Sequence, residues 1–461
     1  MTDMQDKNID LAKIIAQKVA AQGGRVYYVG GLVRDRLLGR ENKDVDIEVH
    51  GVTPETLEAI LDSLDRRTEM GASFGIYGLK HYDLDIAMPR KDQAAGRGQR
   101  NFATFVDPFL GTEKAARRRD FTINALMEDV LTGEIVDHFG GQADLENGIL
   151  RHVDDSTFAE DPLRVLRAAQ FAARFGFSAA EETIALCSRL DLTRLACERV
   201  YGELEKALLK SPRPSVFFEV LRRMGQLHAW FPEAESLIGI PQEPRFHPEG
   251  DVWNHTMLVL DQAAALRARA REPMAFMLSA LCHDFGKRDA IQNDNGRIRA
   301  LGHEAAGIPL LKSFLSRLTD EKRVHQYVCS MVELHMRPNM LAAQNSSRKG
   351  FYRLFDQSVC PEDLLLLAKA DALGRTIEQD YSPTEACLQQ MLCGYQERMS
   401  QPSVQGADLI AAGFAPGKDF GPALAYAHKM HLAGVDKEDS LRQTVAFLRK
   451  ERGLNGSDGA L

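Results

Sequence analysis

The sequence lacks paired cysteines, long apolar runs and an excess of positive charge. Its seven cysteines are scattered and none belongs to a Cys-x-x-Cys pair. This spacing argues against a disulfide framework or a zinc finger and favours reduced thiols in the cytosol. No apolar run is long enough to span a membrane, and residues Met1 to Ala21 contain no apolar core of the signal-peptide type. We therefore expect a cytoplasmic protein without a membrane partner.

The charge balance limits the kinds of partner that the chain can bind. A net charge of −8 argues against binding nucleic acid through the global electrostatic field, so an RNA partner would need a local basic face. The 461 residues are 44% hydrophobic and 26% charged, as is typical of soluble globular proteins. A chain of this length is expected to form about two to four domains.

The first informative stretch joins a glycine pair to a pair of aspartates. Arg25 to Val29 has the composition of a short strand, and Gly30-Gly31 then breaks it before a short helical pattern. A glycine pair at such a turn lets the backbone approach an anion closely. Asp44 and Asp46 lie two positions apart in a following strand pattern, so both carboxylates point to one face. Carboxylates placed in this way suit Mg²⁺ that carries nucleotide phosphates.

A second acidic strand and a basic segment follow. Tyr82 to Ala87 has a strand pattern that places Asp83 and Asp85 on one face, and Asp85 is a candidate third carboxylate of the site. The polar face of a half-buried strand would give the same pattern. Pro89 to Thr112 is basic and polar, which predicts a loop, either solvated or in contact with substrate.

A run of arginines begins the next candidate motif. Arg117 to Arg119 lead into an apolar segment that contains Asp120 and Asn124. A guanidinium group binds phosphate through two parallel hydrogen bonds, and Asp and Asn can hold a ribose hydroxyl. The set therefore matches the needs of a nucleoside triphosphate, whereas in isolation three arginines would indicate a solvated patch.

The third motif is a helix that begins near Pro162, with Asp161 as its candidate N-cap. Asp161, Arg164 and Arg167 recur three positions apart and share one polar face. An acceptor and donors in this arrangement can meet the Watson–Crick edge of a base. A surface helix with an Asp–Arg pair is the alternative interpretation.

Taken together, these three stretches resemble the class II tRNA nucleotidyltransferases, which are the bacterial CCA-adding enzymes, and their relatives the bacterial poly(A) polymerases. The resemblance extends from about Val26 to Leu209. It implies a polymerase-β-like head and a helical neck, with Mg²⁺ held by the catalytic residues Asp44 and Asp46. It also implies that the nucleotide is bound by Gly30, Gly31, Arg34, Arg119, Asp120, Asn124, Asp161, Arg164 and Arg167.

The resemblance also implies the reaction. The 3′-hydroxyl of an RNA attacks the α-phosphorus of CTP or ATP, pyrophosphate leaves, and Asp161 and Arg164 act as a protein template for the base. Poly(A) polymerases carry a basic Gly-Arg-Arg-Phe strand where this chain has residues 75–79, Gly-Ile-Tyr-Gly-Leu, so the tRNA 3′ end is the better fit as partner. The alternatives are a CC-only or A-only enzyme, a poly(A) polymerase, and a catalytically inactive RNA-binding or regulatory protein.

A second constellation occurs in the helical second half. It consists of imidazole and carboxylate side chains at His255, His283, Asp284, His303, His335 and Asp371. A single histidine on an apolar helix is usually a core residue, but this combination supplies ligands for a divalent metal. The order resembles the HD phosphohydrolase superfamily, which implies hydrolysis of phosphate esters with a transition metal such as Ni²⁺ or Mn²⁺. Lys287 is a candidate phosphate contact.

The predicted fold class is α+β, with a mixed sheet in the head and only helices after it. The expected division is an N-terminal helix (1–24), a nucleotidyltransferase head (25–150), a helical neck and body (151–240), an HD metal domain (241–376) and a helical C-terminal tail (377–461). The oligomeric state is not predicted.

Overall fold

The computed structural model describes residues 2–42, 44–69, 75–94, 102–378 and 380–452. The chain forms two compact units, Met1–Ser211 with Val216–Trp230, and Pro212–Ser215 with Phe231–Leu461. The predicted α+β class is confirmed. The finer five-part division remains a prediction.

The strands lie mainly in the first unit. They are β1 Arg25–Val29, β2 Val45–His50, β3 Arg67–Glu69, β4 Ile76–Leu79, β5 Leu84–Ala87, β6 Arg90–Ala94, β7 Phe102–Val106, β8 Met127–Asp129, β9 Ile135–Val136, β10 Ile149–Leu150, β11 Ser178–Ala179, β12 Gln292–Asp294 and β13 Arg297–Arg299.

The α-helices of the first 230 residues are α1 Thr2–Ala20, α2 Gly31–Leu37, α3 Pro54–Asp62, α4 Thr112–Arg117, α5 Gly141–Glu146, α6 Asp155–Ala159, α7 Leu163–Phe175, α8 Glu181–Cys187, α9 Cys197–Lys210 and α10 Ser215–Arg223. The later ones are α11 Pro232–Glu235, α12 Val252–Leu266, α13 Pro273–Cys282, α14 Lys287–Ala290, α15 His303–Leu318, α16 Lys322–Leu334, α17 Arg337–Ala343, α18 Arg348–Gln357, α19 Pro361–Leu373, α20 Ser382–Ser400, α21 Gly406–Ala411, α22 Phe420–Leu432 and α23 Lys437–Glu451. Short 3₁₀ helices cover Thr122–Asn124 and Arg267–Arg269.

A seven-stranded sheet with the order β3-β4-β5-β2-β1-β8-β9 organises the first unit. Strand β2 pairs antiparallel with β1 and parallel with β5. Val45, Ile47 and Val49 on β2 are buried in the core that α1 covers. Because side chains alternate along a strand, the acidic residues of β2 occupy the opposite face.

Two expectations about secondary structure were wrong. The segment Pro89 to Thr112 was predicted to be a loop, but it contains the antiparallel hairpin β6–β7, and α4 begins at Thr112. Its residues Arg97 and Arg100 lie outside the described residues. The part of the chain after the head is also not purely helical, because β10 pairs with β11 and β12 pairs with β13. These strands are two or three residues long, too short for periodicity to reveal.

Helix α7 carries the proposed base-reading residues. It packs against α9 through an apolar face on which Leu166 and Phe171 are buried. Asp161 was predicted to be its N-cap, but Pro162 occupies that position, and Asp161 Oδ1 accepts a hydrogen bond from Leu163 N at 3.2 Å. Arg164 and Arg167 on the polar face of α7 line the same cavity as Asp44 and Asp46.

The second unit is built from helices α11 to α23 and the β12–β13 hairpin. Helix α13 is apolar all round, and it packs against α12, α16 and α19. Within the described residues, no helix combines the length and the apolar character that crossing a membrane requires.

Candidate active site and candidate metal centre

The glycine turn after β1 has a conformation that only glycine adopts readily. Gly30 has φ 67° and ψ −126°, and helix α2 begins at the next residue. A Cβ atom at Gly30 would lie 3.3 Å from Nη1 of Arg119. The turn thus brings bare backbone beside a guanidinium group, so that both can contact the same phosphate.

Asp44 and Asp46 line a cavity of about 670 Å³ together with Gly30, Gly31 and Arg34. Asp44 is exposed and Asp46 is half-buried. Burial and the charges of Asp85 and Asp44 together raise the pKa of Asp46 to about 6, against the lowering effect of the Arg119 charge. A cation bound here would relieve this repulsion, so the donor set fits a hard divalent metal.

Asp85 lies where the sequence placed a third carboxylate. In the parallel pairing of β2 with β5, Asp46 is the register partner of Asp85. Paired residues in a sheet place their side chains on the same face. Asp85 is therefore a neighbour of the metal-binding candidates, although it does not line the 670 Å³ cavity.

A chain of hydrogen bonds connects the three sequence motifs. Arg34 Nη1 donates to Asn124 Oδ1 at 2.7 Å, and Asn124 Nδ2 donates to Asp120 Oδ1 at 2.9 Å. Asp120 Oδ2 then accepts from Arg167 Nε at 2.8 Å. Burial alone would raise the pKa of Asp120, but the Arg167 charge and the hydrogen bonds outweigh burial and lower it. Asp120 is therefore ionised and holds Arg167 in place.

The base-reading candidates are held by other protein groups. Asp161 Oδ2 accepts from Arg199 Nη2 at 2.7 Å. Arg164 donates from Nη1 to Thr157 O at 2.5 Å and from Nη2 to Arg118 O at 2.7 Å. Asp161, Arg164 and Arg199 all line the same cavity as the carboxylates, so the acceptor and donors face the space where a base can lie.

Glu48 is a further candidate residue of the nucleotide site that the sequence motifs did not indicate. Its Oε2 accepts from Arg119 Nη2 at 3.3 Å, and its Oε1 lies 2.7 Å from His50 Nε2. Glu48 follows Asp44 and Asp46 at the same two-residue spacing, so extending that alternation along β2 would have revealed it. Glu48 orients Arg119 beside the glycine turn.

Six predicted ligands come together in the second unit. They are His255 on α12, His283 and Asp284 directly after α13, His303 at the start of α15, His335 directly after α16, and Asp371 on α19. All are buried. They form two groups in which the ligand atoms lie within 4.8 Å of one another, one with His255, His283 and Asp371, the other with Asp284, His303 and His335.

The distances within these groups are short. His255 Nε2 lies 3.0 Å from Asp371 Oδ1, and His303 Nε2 lies 3.3 Å from Asp284 Oδ1. His283 Nε2 and both carboxylate oxygens of Asp284 are buried and make no well-aligned hydrogen bond with the described residues. Buried polar atoms without such partners are costly, and divalent metals would satisfy them.

The pKa shifts differ among the ligands. Burial alone would lower the pKa of His255 and His303, but hydrogen bonds with Asp371 and Asp284 outweigh burial and raise it in both. His335 and Asp371 are instead held in the forms that bind metal. Burial and the charge of His283 lower the pKa of His335 to about 3. Burial alone would raise the pKa of Asp371, but the hydrogen bond from His255 and the charge of Arg375 outweigh burial and lower it. Neutral imidazole and carboxylate are the forms that bind metal.

Lys287, the candidate phosphate contact, lies at the rim of this centre. Its Nζ is 2.7 Å from Asp284 Oδ2 and donates to Gln242 Oε1 at 2.7 Å. Lys287 also lines a cavity of about 520 Å³ into which His247 and His303 open. Sequence reasoning did not include His247, or its neighbour Glu249, among the site residues.

Comparisons with known proteins agree on one family. Residues 26–151 match the family described as the Poly A polymerase head domain, and residues 176–238 match one described as a probable RNA and SrmB-binding site of polymerase A. The chain is 38% identical over 404 residues to the multifunctional CCA protein of Pasteurella multocida, covering 85% of this chain and 92% of the relative.

Solved structures share the fold. The Bacillus stearothermophilus CCA-adding enzyme in complex with CTP is 22% identical with a TM-score of 0.64, and the match covers 96% of this chain and 99% of that one. The Thermotoga maritima CCA-adding enzyme in complex with tRNA is 20% identical with a TM-score of 0.62, and 95% of each chain is covered.

Proposed function

We propose, from the premise that this chain belongs to the family of CCA-adding nucleotidyltransferases, that it adds CMP and AMP to tRNA 3′ ends at the cavity between β2 and α7. CTP and ATP are the nucleotide substrates. One observation carries this proposal: a continuous chain of hydrogen bonds from Arg34 to Arg167 links the glycine turn to the base-reading helix around a single cavity.

Different residues of the first unit bind the triphosphate and the ribose of the nucleotide. The backbone at Gly30 and Gly31, with Arg34 and Arg119, binds the triphosphate through amide and guanidinium donors. Asp120 and Asn124 hold the ribose side of the nucleotide. Their mutual hydrogen bond fixes both before substrate arrives, so less entropy is lost on binding.

Asp44 and Asp46 hold divalent metal, which we propose to be Mg²⁺. When bound there, Mg²⁺ supplies charge neutralisation on the attacking and leaving oxygens. The two carboxylates orient it beside the glycine turn, where the α-phosphate must lie for the RNA 3′-hydroxyl to attack and pyrophosphate to leave. The reaction needs no covalent intermediate with the protein.

Asp161 and Arg164 read the base through its Watson–Crick edge. Arg164 is half-buried and two of its donors are already engaged, which restricts the directions in which the others can point. Arg167 supports them from its ion pair with Asp120, at 2.6 Å. A base with the wrong edge would leave these polar groups unpaired, and that penalty gives specificity.

The test uses the full-length protein with Mg²⁺, labelled CTP or ATP, and tRNAs that end before the CCA, after one C, or after CC. We expect CMP addition to the first two and a single AMP addition to the third. Long runs of AMP would identify a poly(A) polymerase instead, and addition of only CC or only A would identify a partial enzyme. Absence of any incorporation would favour an RNA-binding or regulatory role.

We propose a second activity for the histidine centre, the hydrolysis of phosphate esters with two divalent ions such as Ni²⁺ or Mn²⁺. The buried atoms of His283 and Asp284 that lack a well-aligned hydrogen bond support it. When bound, the ions supply a water nucleophile of lowered pKa, and Lys287 contacts the phosphate. Metal-free protein should regain hydrolysis of bis-p-nitrophenyl phosphate when Mn²⁺ or Ni²⁺ is added. Failure to bind either metal would contradict the proposal.

The domain boundaries predicted from the sequence belong to this proposal. The nucleotidyltransferase head covers 25–150 behind the N-terminal helix 1–24, and the neck with the base-reading helix covers 151–240. The metal phosphohydrolase domain covers 241–376, and the helical tail covers 377–461.

A further inference from the structure

The imidazoles of the metal centre are oriented by a repeated contact. His283, His303 and His335 each place Nδ1 at 2.7–2.8 Å from the carbonyl oxygen of the residue three positions earlier. A carbonyl oxygen can only accept a hydrogen bond, so Nδ1 is the protonated nitrogen in each ring. All three rings therefore present the lone pair of Nε2 to the centre.

His255 departs from this pattern. Its Nδ1 lies 2.9 Å from Oε1 of Glu249, a carboxylate whose side chain is only 2% exposed. The same oxygen lies 2.8 Å from Nδ1 of His247, and Oε2 accepts from the backbone N of Thr376 at 3.3 Å. The carboxylate is thus fixed from both ends, and the Nε2 of His255 is directed toward Asp371 at 3.0 Å.

We infer that Glu249 is a positioning residue that makes His255 the strongest imidazole ligand and so makes the two metal positions unequal. A negative carboxylate accepts the Nδ1 proton more strongly than a neutral carbonyl does, and this raises the basicity of the opposite nitrogen. His255 belongs to the group with His283 and Asp371. In the second group, Nδ1 of both His303 and His335 is hydrogen-bonded to a carbonyl and not to a carboxylate. The inference rests on the proposed metal centre.

Glu304 provides a matched control. It is also a carboxylate beside a ligand histidine, with Oε2 3.6 Å from Nδ1 of His303. That nitrogen already donates to Ala300 O at 2.8 Å, so Glu304 makes no hydrogen bond to it. Removing Glu304, which is only near the centre, should leave metal binding unchanged. Removing Glu249, which hydrogen-bonds a ligand histidine, should weaken it.

The experiment titrates metal-free full-length protein with Mn²⁺ by calorimetry and with Co²⁺ by visible absorption. The wild type should bind two equivalents at the histidine centre, identified as the equivalents that His283→Ala with Asp284→Ala loses, in addition to any metal at Asp44 and Asp46. Glu249→Ala should weaken one equivalent by about 10-fold to 100-fold, leave the other nearly unchanged, and alter part of the Co²⁺ spectrum. Glu249→Gln keeps a neutral acceptor and should lose less, and Glu304→Ala should match the wild type.

The outcomes separate the inference from the proposal on which it rests. A wild type that binds no more metal than His283→Ala with Asp284→Ala would overturn the phosphohydrolase proposal itself. A wild type that binds two equivalents, with Glu249→Ala indistinguishable from it, would overturn only the role of Glu249. Equal weakening of both equivalents in Glu249→Ala and Glu249→Gln, together with a lower melting temperature of the metal-free protein, would also overturn it, because Glu249 would then be a structural residue.

Discussion

The two candidate metal centres differ in how complete they are before any ligand binds. The carboxylates of the first unit are partly open to solvent, and Asp46 is held at a raised pKa by burial and neighbouring acids. The imidazoles of the second unit are closed in, with the side chains of His255 and His335 0% exposed, and their ring orientations are set by hydrogen bonds. The carboxylate centre of the first unit is therefore incomplete without a ligand, whereas the histidine centre of the second unit is preorganised.

This difference follows from the chemistry that each site would perform. A nucleotide brings its own phosphates as metal ligands, so a nucleotidyl-transfer site needs only a few protein carboxylates and an open face. A phosphate-ester hydrolase has to hold its metals between substrates, and it therefore surrounds them with protein ligands. The following predictions test this contrast, from the largest expected effect to the smallest.

Asp46→Asn should lower nucleotide addition by about 10³-fold, because charge stabilisation by metal contributes several kcal/mol to such reactions. The asparagine is nearly the same size and should leave the fold intact. The measurement is the single-turnover rate of CMP addition at saturating Mg²⁺. A loss of less than about ten-fold would mean that the open carboxylate pair is not the metal site.

Arg164→Ala should reduce discrimination between correct and incorrect nucleotides by about 10-fold to 100-fold, because a polar reader of the base edge is lost. The ratio of kcat/KM values for CTP and UTP on a tRNA lacking CCA measures this effect. Arg223→Ala is the control: its ion pair with Glu181 is more than half exposed and lies outside the cavity lining, and exposed pairs contribute little, so a change within about three-fold is expected. Equal effects of the two variants would contradict a specific template role for Arg164.

The raised pKa of Asp46, about 6, predicts competition between protons and Mg²⁺. Asp46 becomes protonated as the pH falls through about 6, and a protonated carboxyl group binds Mg²⁺ poorly. The apparent Mg²⁺ affinity should therefore drop by up to about ten-fold per pH unit below that value. Above about pH 7 it should be constant. The half-saturating Mg²⁺ concentration, measured between about pH 5 and about pH 8, gives the inflection.

Asp85→Asn removes one of the charges that raise this pKa, so the inflection should move to lower pH by a fraction of a unit. A half-saturating Mg²⁺ concentration that stays constant down to about pH 5 in the wild type would contradict the raised pKa of Asp46. An unchanged inflection in Asp85→Asn would remove Asp85 from the site.

Local patterns predicted much of the first centre. Strand β1 has the predicted bounds Arg25–Val29, and β2 contains Asp46 in the predicted alternation, with Asp44 directly before the strand. These features depend on neighbours within a few residues, and such patterns are visible in the sequence.

Contacts between distant positions could not be predicted in this way. Arg119 meets Glu48 across 71 positions and His255 meets Asp371 across 116, and only the folded chain brings such pairs together. The family resemblance named the six histidine and aspartate ligands of the second centre. It did not indicate which groups hydrogen-bond to the Nδ1 atoms of the histidines. Glu249 lies before α12, outside the helical periodicity that relates His255 to its neighbours, so its hydrogen bond with His255 Nδ1 has no local pattern in the sequence.

The most direct test of two independent centres is a crossed assay of two variants of the full-length protein. Asp44→Asn with Asp46→Asn, and His283→Ala with Asp284→Ala, are each assayed for CMP and AMP addition to tRNA and for Mn²⁺-dependent or Ni²⁺-dependent ester hydrolysis. We predict that each double variant loses only the activity of its own centre. Loss of nucleotide addition in His283→Ala with Asp284→Ala would contradict the account, because the histidine centre would then support the polymerase and not a separate reaction.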